Sequence, residues 1–332
     1  MLMLKILHFP SQPHFFSYGG FDIQMNRVIE GLNNYNINSI KVDLWNSNQN
    51  FDIAHFWGSS NFHYENILLC KSINIPTIIS ALFPPLNPFD NFIISLKSKF
   101  SKIFLIKRAL FIADYVLVIN ENQLELASKV YGVKREKIIV INTMLDKEFF
   151  TNNNLENTNC EFDNFALCVG TVCHRKNQLN LIKASLDCNQ KIIFVGRLES
   201  TEFDYIENFK ELIKSYPNLF KHFEDVSSTF LKSLYLRCQF VTCLSYSETE
   251  PATILEAMVL NKPLLVSNMP FSNFNLYNGV LKCNPHSIQS IISGLKNVKN
   301  NIFPNFVSDN YIPDNVYIKY VETYQLIHSK KI

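Results

Sequence analysis

At roughly 150 residues per domain, a chain of 332 residues predicts two domains. Its 31 Lys and Arg against 29 Asp and Glu give a net charge of +2, a near-balance that argues against a dedicated nucleic-acid binder. Apolar residues make up 47%, enough for a sizeable core, but only nine residues are glycine, and neither GxGxxG nor a GxxxxGKS/T loop occurs, which excludes glycine-rich phosphate loops.

In chain order, LKILHF reads as a strand and Phe21 to Asn33 as a helix, with Ile23, Met25, Val28, Ile29 and Leu32 on its apolar face. SIKVDLW and DIAHFW read as strands, Asn61 to Ser72 as a helix, PTIISAL as a strand and Phe89 to Phe111 as a long helix. YVLVIN, a helix over Glu121 to Tyr131, and KIIVIN follow. Thr151 to Asn164 is polar and Asn-rich without apolar periodicity, the composition of an interdomain linker. The alternation then restarts: FALCVG, a helix over Asn177 to Asp187, KIIFVG, a helix over Phe203 to Tyr216, LFKHFED, a helix over Ser227 to Leu236 capped by Ser227 or Ser228, and FVTCLS. After these come a helix over Thr253 to Leu260, KPLLVS, and closing helices over His286 to Lys296 and Asp314 to His328. Strands alternating with helices indicate two doubly wound α/β halves with parallel sheets, whose ligands bind beyond the carboxyl ends of the strands, naturally in a cleft between the halves.

The eight cysteines form no CxxC pair and several lie in apolar strand runs, which predicts reduced, structural thiols rather than a zinc or disulfide framework. MLMLKILHFP lacks a small-residue cleavage site, and no 18-residue apolar run exists, so the expected location is cytoplasmic, with no membrane span.

The most informative stretch is SYSETEPATILEAMVLNKPLLVSN, Ser245 to Asn268, which reads strand, loop, helix, strand. Glu248 falls in the loop and Glu256 eight positions on, inside the helix. Between them the chain enters a helix near Ala252 and Thr253, where free N–H groups and the helix dipole favour an anion, and Pro251 suits the entry. A diphosphate on that N-terminus would place one carboxylate near sugar hydroxyls on each side. Two glutamates eight apart are common by chance, so the spacing alone favours a helix-start carboxylate and an exposed helix glutamate.

This stretch resembles the E-x7-E signature of retaining GT-B glycosyltransferases, in particular glycosyltransferase family 4. YGGFDIQMNRVIEGL is similar to that family's first loop and helix. ADYVLVINENQLELASKVYGVKREKIIVINTMLDKEFF resembles the end of its N-terminal domain, and LCVGTVCHRKNQLNLIKA the start of its C-terminal one. The resemblance implies two Rossmann-like domains facing across a cleft. An acceptor-side domain would span 1–150, the linker 151–164 and a nucleotide-sugar-binding domain 165–310, with the 311–332 helix packing back on the first.

It implies a metal-independent hexosyltransferase-type enzyme with no cofactor, moving a sugar from a nucleotide-diphosphate sugar to a glycan or lipid-linked acceptor in cell-surface polysaccharide or glycan biosynthesis. Glu248 would face the transferred sugar and Glu256 the ribose, while Lys176, with Arg175 in place of the family's arginine at Thr171, would hold the diphosphate beside Gly170, Thr171, Ala252 and Thr253. Paired cations suit that task, although a solvated loop pair is the other reading. Gly19 and Gly20 would face the donor.

Family glycines in the E-x7-E loop are Thr249 and Pro251 here, the usual Asn-Gly is Thr143–Met144, and Leu82 falls where many members carry a sugar-side histidine. His55 in DIAHFWG could partly substitute, or could simply be packed beside Phe56 and Trp57. In NFIISLKSKFSKIFLIKRALF, Lys97, Lys99, Lys102, Lys107 and Arg108 alternate with bulky apolar residues. That pattern suits a helix on an anionic membrane surface near the acceptor site, or a core-packed helix with a solvated basic face. The rival readings are a catalytically inactive GT-B partner protein, a nucleotide-sugar epimerase, and a phosphorylase, which would need pyridoxal phosphate.

Overall fold

The structure is a computed structural model that describes residues 3–12, 19–84, 102–151, 162–300, 306 and 309–330. It divides into two compact units, Met1–Met144 with Asp309–Ile332, and Leu145–Ser308.

The first unit contains β1 (Leu4–Phe9), α1 (Gly20–Leu32), β2 (Ile37–Lys41), β3 (Ile53–Trp57), α2 (His63–Ser72), β4 (Thr77–Ser80), α3 (Lys102–Ile112), β5 (Tyr115–Val118), α4 (Glu121–Lys129) and β6 (Ile138–Val140). The strands lie in the order β2-β1-β3-β4-β5-β6 and every pairing is parallel. Such a sheet needs cover on both faces, which is why β3 and β4 are buried at every position instead of alternating.

The second unit contains β7 (Phe165–Val169), α5 (Gln178–Cys188), β8 (Lys191–Val195), α6 (Phe203–Ser215), β9 (Phe220–Phe223), α7 (Ser228–Arg237), β10 (Phe240–Cys243), α8 (Ala252–Val259), β11 (Leu264–Ser267), β12 (Leu281–Cys283) and α9 (Ile288–Asn297). Its all-parallel order is β12-β11-β10-β7-β8-β9. One core cluster, around Phe165, Tyr235, Ile254 and Phe271, differs from a second around Phe194, Phe209, Phe240 and Leu265. Ser227 caps α7, its hydroxyl accepting from the Phe230 N–H at 3.1 Å, an interaction that typically contributes about 1 kcal/mol.

The last helix, α10 (Pro313–Ser329), returns to the first unit, where Val316, Tyr320, Tyr324 and Ile327 share a core with Ile6, Val28 and Trp57. The boundary between the units falls after Met144, earlier than the expected 150. Phe149 packs with Tyr235 in the second unit's core, and Asp146 accepts from the Ser228 hydroxyl at 2.7 Å. Of the expected 151–164 linker, residues 152–161 lie outside the described residues.

Two strand expectations change. SIKVDLW ends as a strand at Lys41, and Leu44 and Trp45 stand in solvent. The three-residue β12 has no counterpart among the expected strands, being too short to show a period. Seven of the cysteines are free, and six of these are buried. Among the described residues, no helix is long and apolar enough to cross a membrane.

Candidate functional site

In the second unit, β7 and β8 end at glycines that let two loops meet. Gly170 has φ +141° and Gly196 φ +147°, a region L side chains rarely adopt. A Cβ on Gly196 would lie 2.2 Å from the Gly170 carbonyl oxygen, so only glycine fits without moving the loop. The chain then makes a 3-10 turn over His174–Lys176, closed by Asn177 in the left-handed conformation at φ +62°. The buried Asn177 amide pins this turn. It donates to the carbonyls of Leu244 (3.3 Å) and Pro285 (3.0 Å), and its oxygen accepts from the Tyr246 hydroxyl at 2.8 Å. The Tyr246 N–H in turn donates to the Arg175 carbonyl at 2.8 Å.

That anchoring aims both cations at one oxygen. Glu248 Oε1 lies 2.9 Å from Arg175 Nη1 and 2.5 Å from Lys176 Nζ. Arg175 Nη1 also donates to the Ser247 carbonyl at 2.7 Å. The Glu248 and Lys176 side chains are only 10% and 15% exposed. Burial alone would push the Glu248 carboxyl up, but the Lys176 ammonium and the Arg175 guanidinium outweigh it and hold it below the ordinary value. Burial works against the charged Lys176, yet Glu248 keeps its ammonium above the ordinary range. Both groups are therefore ionised near neutral pH.

Beside them α8 starts at Ala252, with Pro251 as N-cap. Pro251 has no side-chain group to cap the helix, and the first turn of α8 carries no carboxylate. The Thr253 hydroxyl donates to the Val169 carbonyl at 3.2 Å, tying the helix start to the end of β7. Along α8, Glu256 is nearly buried, and its Oε2 accepts from the Tyr235 hydroxyl of α7 at 2.7 Å. Thr171 shapes the loop through its backbone, its carbonyl accepting from the Gln178 amide at 3.0 Å. A buried acid, two cations and an uncapped helix start are a setting for an anion with a polar appendage. Among the described residues, no group of three or more His, Cys, Asp or Glu could hold a metal ion.

The expected residues of the first unit fare differently. Gly19 is the N-cap of α1 and its N–H donates to the Asp22 carboxylate at 2.9 Å, so the helix start behind Gly19 and Gly20 already holds a negative charge of its own. His55 is fully buried, with Nδ1 2.7 Å from the Tyr324 hydroxyl and Nε2 2.7 Å from Ser80 Oγ; it is a packed core residue, not a sugar-facing one. Lys97 and Lys99, like the 89–101 part of the expected helix, lie outside the described residues, as does the Lys102 side chain. Lys107 Nζ stands 6.0 Å from the Tyr131 ring centroid, and the Arg108 guanidinium lies over the Phe104 and Tyr64 rings at 5.2 and 5.8 Å.

Sequence reasoning missed Asn177, Gly196 and Tyr235. Gly196 had a signal, because KIIFVG repeats the apolar-run-then-glycine form of FALCVG. Tyr235 had none, lying in an ordinary amphipathic helix 21 residues from its partner.

Residues 150–303 match the family model described as glycosyl transferases group 1. The O-antigen chain mannosyltransferase RfbU of Salmonella typhimurium is 29% identical over 216 residues, which cover 63% of this chain and 58% of RfbU, less than two thirds of that relative's length. Among solved structures, HepE of Anabaena in complex with UDP and glucose aligns with a TM-score of 0.69 at 15% identity, covering 97% of this chain and 100% of HepE. The UDP-GlcNAc 2-epimerase of Methanocaldococcus jannaschii aligns with a TM-score of 0.60 at 13% identity, covering 97% and 99%. With two Rossmann-like units, each built on a parallel six-stranded sheet, the chain has the GT-B fold of these proteins, and the matched segment contains the whole Glu248, Arg175, Lys176 and Glu256 constellation.

Proposed function

We propose that this chain is a retaining hexosyltransferase that moves a sugar from a nucleoside-diphosphate sugar to a glycan or lipid-linked glycan acceptor in cell-surface polysaccharide synthesis. The observation that carries the reading is the convergence of Arg175 and Lys176 on Glu248 beside the uncapped start of α8. As the bond from sugar to diphosphate breaks, charge grows on the departing diphosphate. Two adjacent cations and a helix N-terminus placed in advance stabilise that charge. Glu248 then lies next to the sugar, where its carboxylate faces developing positive charge, and Glu256 offers an acceptor to the ribose hydroxyls. RfbU is a mannosyltransferase, which makes a mannose-bearing donor the first to try.

A thermal-shift panel of UDP- and GDP-sugars tests this, since a ligand at 100 times its Kd stabilises the native state by about 2.7 kcal/mol. One nucleotide sugar should raise the melting temperature by several degrees. Transfer from it should persist in EDTA, because Arg175 and Lys176 supply the positive charge, and the product should keep the donor's anomeric configuration. Absence of any binding would point to a non-catalytic partner protein, and donor conversion without an acceptor to an epimerase. A strict requirement for an added divalent ion would overturn the metal-independent part.

The acceptor side of the proposal includes an anionic membrane surface. On α3, Phe104, Lys107, Arg108 and Phe111 form one stripe, with Ala109 and Leu110 turned to the core. Neighbouring α2 and its N- and C-caps expose Phe62, Leu69 and Ile73 at 70%, 65% and 64%, and Phe111 is 66% exposed. Apolar side chains interleaved with cations suit shallow insertion into an anionic bilayer. The protein should co-sediment with phosphatidylglycerol vesicles but not with phosphatidylcholine ones, and Ile73→Ser with Phe111→Ser should release it. Equal binding to both vesicle types would reject the electrostatic part of this proposal.

A further inference from the structure

We infer that Tyr235 is a positioning residue, holding the Glu256 carboxylate in the orientation that meets a ribose hydroxyl. This rests on the nucleotide-sugar reading above and adds a residue that lies outside the donor contacts.

Tyr235 sits on α7 and is fully buried, so its hydroxyl never reaches a ligand. Its position is set from three sides. The Phe149 ring meets it edge-on at 81° with centroids 5.5 Å apart. The surrounding core includes Leu234, Ile254 and Met258. At its far end the hydroxyl lies 2.7 Å from Glu256 Oε2 and 3.3 Å from the Thr253 carbonyl, so one phenol spans a full turn of α8. A hydroxyl has one proton, and the shorter contact, to a charged acceptor, is the stronger one.

A glutamate side chain has three rotatable bonds, and ordering it at the moment of binding costs affinity. With Oε2 held by a donor anchored in the core, that ordering is complete before a nucleotide arrives. Burial and the adjacent carboxylate both push the Tyr235 phenol well above its ordinary range, so it remains a donor at any working pH.

The test compares three probes on four proteins by calorimetry: wild type, Tyr235→Phe, Glu256→Gln and the double variant, each with inorganic pyrophosphate, UDP and GDP. Tyr235→Phe should weaken the preferred nucleoside diphosphate roughly five- to tenfold, the size of a typical net hydrogen bond, and leave pyrophosphate affinity unchanged. The double variant should bind no more weakly than Glu256→Gln alone, and a 2′,3′-dideoxynucleoside diphosphate should not distinguish Tyr235→Phe from wild type. Phe149→Leu, which keeps the hydroxyl but frees the ring, should give the same selective loss at smaller size and serves if Tyr235→Phe folds poorly.

Parallel losses for pyrophosphate and nucleotide, or additive losses in the double variant, would reduce Tyr235 to a core residue and overturn the assignment. Intact nucleotide binding in Tyr235→Phe, with Glu256→Gln impaired, would overturn it while leaving the nucleotide-sugar reading in place. If wild type binds neither nucleoside diphosphate, the reading fails and the assignment with it.

Discussion

Glu248→Gln should lower sugar transfer by two to three orders of magnitude and at the same time tighten the binding of inorganic pyrophosphate. Without a ligand, Glu248 Oε1 is the anion to which Arg175 and Lys176 are bound, at 2.9 and 2.5 Å. An arriving diphosphate needs the same two cations. The carboxylate therefore opposes the ligand twice, as a competitor for the cations and as a like charge beside the phosphates. Unit charges 4 Å apart interact by about 4 kcal/mol at an effective dielectric of 20. Most of that is offset by solvation, so a gain of roughly tenfold in pyrophosphate affinity, about 1.4 kcal/mol, is a modest expectation. Glutamine keeps the volume and removes the charge.

Transfer responds in the opposite sense, because the same carboxylate then no longer faces the sugar as positive charge develops. Removing one preorganised electrostatic partner of a transition state typically costs on the order of 10²–10³ in rate. Lys176→Ala differs again. It removes the buried cation, leaves a nearly buried carboxylate with only the half-exposed Arg175, and should reduce both pyrophosphate binding and the melting temperature. Removing one member of a buried pair costs about 3–5 kcal/mol. Calorimetry with pyrophosphate reads the first arm without knowledge of the donor, and an unchanged or weaker affinity in Glu248→Gln would show that the carboxylate does not hold the cations back.

These residues illustrate how far a sequence reaches. The strand and helix alternation is written in local periodicity, and ten of the twelve strands among the described residues and nearly every described helix lie within a few residues of where apolar spacing puts them. The loop and helix from Ser245 to Val259 were legible because Glu248, Pro251 and Glu256 lie on one continuous strand–loop–helix segment. Arg175, 73 residues from Glu248, shares no local signature with it and entered the site only through resemblance, and the ion pair between the two is visible only in the fold. What failed was what depends on packing. His55 looks like any strand-end histidine until its bond to Tyr324, 269 residues on, shows that the last helix covers it. The β12 strand, at three residues, is held by β11 rather than by its own composition.

Acidification should destabilise the first unit, by about 4 kcal/mol between pH 7.5 and pH 5.0, through histidines that are buried without charge. His8 and His55 face each other across the β1–β3 pairing, their rings 5.2 Å apart, and both are fully buried. The indole N–H of Trp57 donates to His8 Nδ1 at 2.9 Å; an indole nitrogen can only donate, so His8 Nδ1 must carry a lone pair and the ring must be neutral. Its other nitrogen lies 2.6 Å from Ser39 Oγ. His55 is held by Ser80 and Tyr324, and His63 by the Trp57 carbonyl at 3.0 Å, all uncharged partners. Burial pushes His8 down to about 3, burial and the neighbouring histidines push His55 well below 6.5, and burial lowers His63. The unfolded chain takes up these protons near pH 6.5 while the folded one does not, so the stabilisation is complete above pH 6.5 and is lost as pH falls toward the folded values. At pH 5.0 each histidine that stays neutral costs about 2 kcal/mol, and His8 and His55 together account for the total. Ordinary carboxylates contribute little in that interval, since they titrate near pH 4. Both tryptophans, Trp45 and Trp57, belong to the first unit, so urea unfolding followed by tryptophan emission reports on that unit alone. His8→Gln, whose amide can accept from Trp57 and donate to Ser39, should remove about half of the pH dependence. A urea midpoint that is the same at pH 7.5 and pH 5.0 would show that these rings are charged in the folded protein or that the unit opens to let them titrate.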